Sequence, residues 1–372
     1  MKILQLGKFY PPDLGGIETV MQSLTEDLNQ PNIHCDVLCS NSKNKYSEEK
    51  INGYVVYRTK SWGKYFSTSI SPQMIFKLRE IIDNYDIIHI HHPDPMATLA
   101  LYFANTKKVK IVVHWHADIV KQKIILLFYS FLQQWMLRKS NLIVTTSTKQ
   151  KNEIKWLKNF QEKTVSIPIG INQNSLIVDE NQFNKIKNKY ADKEIIFSLG
   201  RHVYYKGFEY LIKAGEFINE NKIILIGGSG PLSNELSKII DKNNLHEKVK
   251  LIGRIEQNQL GAYFKACSIF CLPSVARSEA FGVVQLEAMS FSKPLIATNI
   301  YGSGTSWVNK HNESGINVET KNSKEIANAI NLILSSHQKY EEFSENSFKR
   351  FKNNFMQEKM INSFISNYKK IL

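Results

Sequence analysis

The chain has 372 residues, enough for two domains of ordinary size, and its 42% hydrophobic and 22% charged content excludes wholesale disorder. No stretch reaches the ~18 uninterrupted apolar residues of a membrane span, and the apolar core of the opening MKILQLGKFYPP is too short for a signal peptide, so neither is expected. Of the formal net charge of +14, a net +9 falls between Lys107 and Lys163, where twelve Lys/Arg stand against Asp118, Glu153 and Glu162. Without a zinc-finger, RRM or KH signature, nucleic acid gives way to an anionic membrane surface or an anionic acceptor as the partner.

Lys2 to Leu6 alternates as a short strand, and Pro11-Pro12 breaks the chain after it. Gly15-Gly16 let a backbone approach something closely, and from Ile17 the apolar Val20, Met21, Leu24 and Leu28 keep helical spacing. A first strand feeding a glycine loop and a helix start predicts an anion site, with a plain tight turn as the alternative. Cys35–Ser40 and Tyr54–Arg58 read as further strands, with polar 41–50 as the loop between them. The cysteines fall in pairs, 35 with 39 and 267 with 271, both in apolar runs. In a strand four residues span about 13 Å, too far for a disulfide or a shared metal. Buried, reduced thiols and a cytosolic setting are expected.

Two later strands run into histidines, Asp86-Ile-Ile-His-Ile-His-His-Pro and Ile111-Val-Val-His-Trp-His-Ala-Asp. Each carries His-x-His, which is short of a metal site, and no Asp-x-Asp occurs anywhere, so no metal is expected. Lys121 to Lys139 contains IILLFYSFLQQWMLRK, either a core-facing helix or an interfacial helix lying on anionic lipid. Asn141–Ser147 is the next strand, and the polar composition of 172–192 marks a domain boundary.

The second half restarts the pattern. Glu194 to Leu199 is a strand, and Gly200-Arg-His-Val-Tyr-Tyr-Lys-Gly-Phe follows as a loop entering a helix, with Arg201 and Lys206 as its basic pair. Ile223-Ile-Leu-Ile-Gly-Gly-Ser-Gly-Pro is a strand into a glycine turn at Gly228, and Val249–Gly253 is another strand. Ala266–Leu272 reads as a buried strand stopped by Pro273 and Ser274. A polar loop then carries Glu279 and Phe281-Gly282, and Val283, Val284, Leu286 and Met289 begin a helix that packs on a sheet. Open α/β sheets bind ligands where a loop leaves the carboxyl end of a strand. Amides from Ala280 to Val283 would point at an anion there. Glu287, eight residues after Glu279, is placed for hydroxyls at the far end of the same ligand. A charged middle with hydroxylated ends describes a nucleotide-sugar. Pro294 to Thr298 is a strand, Gly302-Ser-Gly-Thr-Ser-Trp-Val a loop, and 355–372 a long closing helix.

SEAFGVVQLEAM resembles the Glu-x7-Glu motif of retaining GT-B glycosyltransferases, the glycogen-synthase-like family 4. The resemblance extends over nearly the whole chain and is strongest from Phe197 to Asn309; at 302–308 the usual Pro is absent, since Ser306 precedes Trp307. It implies an α/β GT-B fold of two Rossmann-like domains facing across a cleft: 1–172 for the acceptor, 173–354 for the nucleotide-sugar, and 355–372 returning to the first. By that likeness His116 and Glu279 serve the donor sugar, Arg201 and Lys206 the diphosphate, and Glu287 the ribose. Gly16, Gly228, Phe281, Gly282 and Val283 complete the donor side, with Gly15, Glu18 and Asp118 on the acceptor side. The expected reaction moves a sugar, of mannose or rhamnose type, to a hydroxyl of a lipid-linked or growing cell-surface polysaccharide such as O-antigen or capsule. No cofactor or metal is expected, and the setting would be the cytoplasmic, inner face of the plasma membrane. Two rivals are a GT-B nucleotide-sugar epimerase and a non-catalytic nucleotide-sugar-binding protein.

Overall fold

Two parallel sheets organise the chain in the computed structural model, which describes residues 1–13, 15–65, 68–118 and 123–372. Two units result, Met1–Ile169 with Met360–Leu372, and Gly170–Lys359. They divide at 169/170 and 359/360 rather than at 172/173 and 354/355. The shift has a local cause: Ile171 N donates to Phe355 O at 3.0 Å and Gln357 N to Ile171 O at 3.1 Å, so the entering and leaving segments pair within the second unit.

The first unit holds β1 (Lys2–Leu6), β2 (His34–Ser40), β3 (Ser47–Ile51), β4 (Tyr54–Thr59), β5 (Lys64–Tyr65), β6 (Thr68–Ser69), β7 (Ile87–His92), β8 (Lys110–Trp115), β9 (Leu142–Thr145) and β10 (Thr164–Ser166). Its main sheet runs β10-β9-β8-β7-β1-β2-β4-β3, parallel except for β3, while β5 and β6 pair separately. Strands such as β7 are buried along their whole length, which is why they read as continuous apolar runs. The strand β3 corrects the loop expected over 41–50. Its charged Glu48, Glu49 and Lys50 occupy an exposed sheet edge, where charge blunts further pairing and hides the strand from a hydrophobic pattern. The four cysteines are unpaired and buried, as their spacing predicts, with burial raising each thiol pKa.

The described part of the 121–139 stretch is a helix, Lys123–Lys139; Lys121 lies outside the described residues. Tyr129, Met136 and Leu137 are buried, whereas Phe131 is 62% exposed, so the helix has both a core face and an open aromatic one.

The second unit holds β11 (Glu194–Leu199), β12 (Lys222–Gly227), β13 (Val249–Gly253), β14 (Ile269–Leu272), β15 (Leu295–Asn299) and β16 (Gly315–Glu319). They form one parallel sheet in the order β13-β12-β11-β14-β15-β16. The chain builds outward from β11 to β13, then crosses back and builds the other way from β14. The loops after β11 and β14 therefore part at a switch point of the strand order, the position where such sheets open a crevice for ligands.

Candidate functional site

In the second unit, the loop after β11 and the loop after β14 are laced together by backbone. Val275 N donates to Tyr205 O at 2.8 Å, and Gly207, at φ +64°, packs where a Cβ would strike the Pro273 carbonyl. That lacing brings Lys206 to Glu279, with Nζ 2.6 Å from Oε2 and both side chains largely buried. Ser274 Oγ donates to the same Oε2 at 3.0 Å. Burial works against the Lys206 ammonium, but the facing Glu279 carboxylate outweighs it and holds the pKa above its ordinary value. A buried ion pair of this kind is weak as a source of stability, so its placement at the switch point asks for a functional reason.

Glu287 stands in the first turn of the short helix Val284–Ser290. Burial pushes its carboxyl up to about 7, against the pull of Lys206. One ammonium and two carboxyl groups thus share one end of the sheet. Arg201 lies on the same loop as Lys206 with its side chain exposed and no acidic partner among the described residues. The loop that carries it is shaped from beneath. Gly228, at φ +114°, lies where a Cβ would run into the Gly200 carbonyl oxygen, and Leu232 N donates to His202 O at 3.1 Å.

The amides of Phe281, Gly282 and Val283 have no acceptor among the described residues. The Phe281 ring is only 3% exposed and packs against Trp307 and Phe355, so what Phe281 can offer a ligand is its backbone amide. A third loop, after β15, supports the Glu279 loop through hydrogen bonds. Ser303 Oγ donates to Glu279 O at 2.6 Å, and Gly304 N to Ala280 O at 2.7 Å. Ser274 and Ser303 are the residues that sequence reasoning missed. A lone serine at a strand end carries no spacing signal, and only the hydrogen bonds reveal its part.

In the first unit the remaining residues lie at the carboxyl ends of β1 and β8. Gly15 precedes the helix Gly16–Leu28, with Glu18 in its first turn, and where a Cβ on Gly16 would point there is open space. His116 follows β8 and is buried, its Nε2 2.9 Å from His91 Nδ1. Burial takes its pKa down to about 3, so the imidazole is neutral. Asp118 Oδ1 accepts from the buried Trp115 indole at 3.1 Å. Asp94, which no motif singled out, caps the helix Pro95–Phe103 from the end of β7, accepting from Met96 N and Ala97 N. Burial pushes its carboxyl up to about 6, backbone donors notwithstanding.

Two α/β units on largely parallel sheets, one with a cation–carboxylate pair at its switch point, have the architecture of a GT-B fold. The likeness to solved structures carries the same fold. Sucrose-phosphate synthase from Thermosynechococcus elongatus superposes with a TM-score of 0.80 at 19% identity, covering 100% of this chain and 99% of that one. HepE from Anabaena, solved in complex with UDP, gives 0.78 at 20% identity, covering 100% of both chains. A family model described as Glycosyl transferases group 1 matches residues 179–350, and one described as Glycosyltransferase Family 4 matches 14–175. The O-antigen chain mannosyltransferase C of Escherichia coli is 31% identical over 100% of this chain and 99% of its own length. The D-rhamnosyltransferase WbpZ of Pseudomonas aeruginosa is 28% identical over 95% and 92%. The chain belongs to the group 1, family 4 glycosyltransferases, and it is an enzyme of that class.

Proposed function

We propose that the enzyme transfers a sugar of mannose or rhamnose type from a nucleotide-sugar to a hydroxyl of a lipid-linked or growing surface polysaccharide, with retention at the anomeric carbon. The observation that carries this reading is the Lys206–Glu279 pair at 2.6 Å beside the exposed Arg201 and the pKa-raised Glu287. The names of the O-antigen mannosyltransferase and the rhamnosyltransferase support the sugar type and the acceptor, and the UDP held by HepE supports a nucleotide donor.

In this reading Arg201 and Lys206 hold the diphosphate and neutralise it as it leaves. Glu279 accepts from donor-sugar hydroxyls and Glu287 from the ribose. The Phe281–Val283 amides face phosphate oxygens, and Gly228 keeps the Arg201 loop in place. To the first unit the reading assigns His116 and Gly16 for the donor, and Gly15, Glu18 and Asp118 for the acceptor. The acceptor oxygen attacks the anomeric carbon on the face the diphosphate leaves. The C–O bond to the β-phosphate breaks, and the acceptor's proton passes to the departing phosphate oxygen. Since lysine and arginine supply the charge that a metal supplies elsewhere, transfer needs no added Mg²⁺ or Mn²⁺.

Exposed aromatics of the first unit, Tyr102, Phe103 and Phe131, with Trp135 beside them, support docking on an anionic membrane face, which would place the enzyme on the inner face of the plasma membrane. No helix among the described residues is long and apolar enough to cross a membrane. A donor screen with UDP-, GDP- and dTDP-sugars, read as nucleotide release with and without a glycan acceptor, tests the reading. Acceptor-dependent release from one of these donors is expected. Interconversion of the donor sugar without acceptor, or binding without turnover, would overturn it.

A further inference from the structure

Sheet pairing in the first unit assembles a group that the spacing along either strand does not show. β7 and β8 run parallel with His91 opposite His114. Residues two apart share a face, so His89, His91, His114 and His116 form a two-by-two block of imidazoles on one side of the sheet. Ring centroids are 4.7 Å apart for His89–His91, 3.9 Å for His114–His116, 5.3 Å for His89–His114 and 5.2 Å for His91–His116. All four are buried; Phe364 of the closing helix packs on His89 and His114, and Tyr368 on His89.

The hydrogen bonds leave a particular set of nitrogens over. His89 Nδ1 pairs with the Tyr368 hydroxyl, His91 Nε2 with Gln5 Oε1 at 2.8 Å, and His91 Nδ1 with His116 Nε2 at 2.9 Å. His89 Nε2 and both nitrogens of His114 are buried without any partner. One ring nitrogen from each of His89, His91 and His114 lies within 4.8 Å of the others. A buried polar atom without a partner is costly, and here such atoms converge. Tyr368 and Gln5 stand where outer partners of ligating histidines usually stand, on the ring nitrogen that does not bind.

We propose that His89, His91 and His114 hold one late divalent transition-metal cation of the Zn²⁺ type, His91 Nδ1 giving up its hydrogen bond to His116 Nε2 so that His116 can supply a fourth nitrogen. The site is separate from the diphosphate residues but shares His116 with the donor side of the transferase reading; the metal itself is tested without reference to transfer. Zn–N bonds of about 2.0–2.1 Å place ligating nitrogens roughly 3.4 Å apart, so nitrogens that stand up to 4.8 Å apart must draw together on binding. An all-imidazole donor set selects zinc, cobalt, nickel or copper over magnesium or calcium. The ion would pin β7 to β8 and fix His116 through the same block.

The test uses tag-free, full-length protein purified from zinc-supplemented culture and, separately, dialysed against Co²⁺. Elemental analysis should find about one metal per chain, and the cobalt form should show the visible absorption of a four-coordinate nitrogen site. The His89→Gln/His114→Gln double variant should lose both, while His246→Gln, at an exposed position, should lose neither. Folded wild-type protein that holds no stoichiometric metal by either route overturns the proposal, whether or not the double variant folds. So does a double variant that folds and retains as much metal as wild type.

Discussion

Lys206 and Glu279 are each other's counter-charge, and either one alone would be a buried charge facing a polyanion or a sugar. Glu279→Gln keeps the shape and still accepts from Ser274, but removes the negative charge that Lys206 and a hydroxylated ligand both use. Transfer should fall at least about 100-fold, the usual scale for losing one preorganised electrostatic contact to a transition state. Circular dichroism should show the fold intact, and a folded variant within tenfold of wild type would remove Glu279 from the chemistry. Glu287 makes a pH prediction whose sign follows from its raised pKa of about 7 against 4.5 for the free group. Its contribution to folding stability is full below 4.5 and is lost as pH rises through about 7. A ribose that donates to the carboxylate favours the ionised form instead, so binding expels the proton. Affinity for a nucleoside diphosphate should therefore rise with pH and level off above about 7, and Glu287→Gln should flatten that dependence. Calorimetric titration at several pH values reads it directly. Wild-type affinity that tracks the variant's across the range would mean that Glu287 does not meet the ligand.

Among the elements, the glycine turn after β12 sets the height of the loop that carries Arg201. Gly228 has φ +114° and abuts the Gly200 carbonyl, whereas Gly253 has φ +73° with open space around it. Both alanine variants incur the backbone strain of a positive φ, roughly 1–3 kcal/mol, but only Gly228→Ala must also push the Arg201 loop away. Urea unfolding should rank Gly228→Ala as the less stable of the two, and only that variant should lose diphosphate affinity. Equal unfolding midpoints would show that the close approach has slack. The contrast also explains what was legible beforehand. Strands such as β11 and β12 are buried on both faces, so their sequences are unbroken apolar runs, and the glycines and charges beyond them mark the loops. The polar edge strand β3 has no buried face to announce it. The Glu279 loop was readable from its own residues, yet its direct partner Lys206 comes from another loop, and its hydroxyl supports Ser274 and Ser303 carry no pattern at all. The histidine block shows the same limit. β7 carries two of the imidazoles, β8 and the residue following it the other two, and only the register of β7 on β8 brings them together.

At the scale of the whole molecule the charge is the feature still to be accounted for. Of +14, a net +9 sits between Lys107 and Lys163, although Arg201 and Lys206, the proposed diphosphate residues, lie elsewhere. Part of that stretch borders an exposed aromatic group. Tyr102 contacts Phe103, Phe131 and Trp135, with Phe103 53% and Phe131 62% exposed. Arg138 and Lys139 follow Trp135 within one helical turn, and Lys107 and Lys108 come shortly after Phe103; all four are exposed. Aromatic rings beside basic side chains suit an interface with anionic lipid, where the rings enter the headgroup region and each nearby Lys or Arg contributes about 1 kcal/mol. A Lys-rich face that is merely solvated is the competing account, and it gives no dependence on lipid charge. In sedimentation with vesicles, the enzyme should bind those containing anionic lipid, bind neutral ones weakly, and release as salt screens the attraction. Replacing Lys107, Lys108, Arg138 and Lys139 together by Gln should weaken binding to anionic vesicles on the order of 100-fold. Phe131→Ser should weaken it without changing its salt dependence, since it removes buried apolar area and no charge. Equal sedimentation with neutral and anionic vesicles, or none with either, would leave the excess charge as surface solvation and send the search for the acceptor's anchor elsewhere.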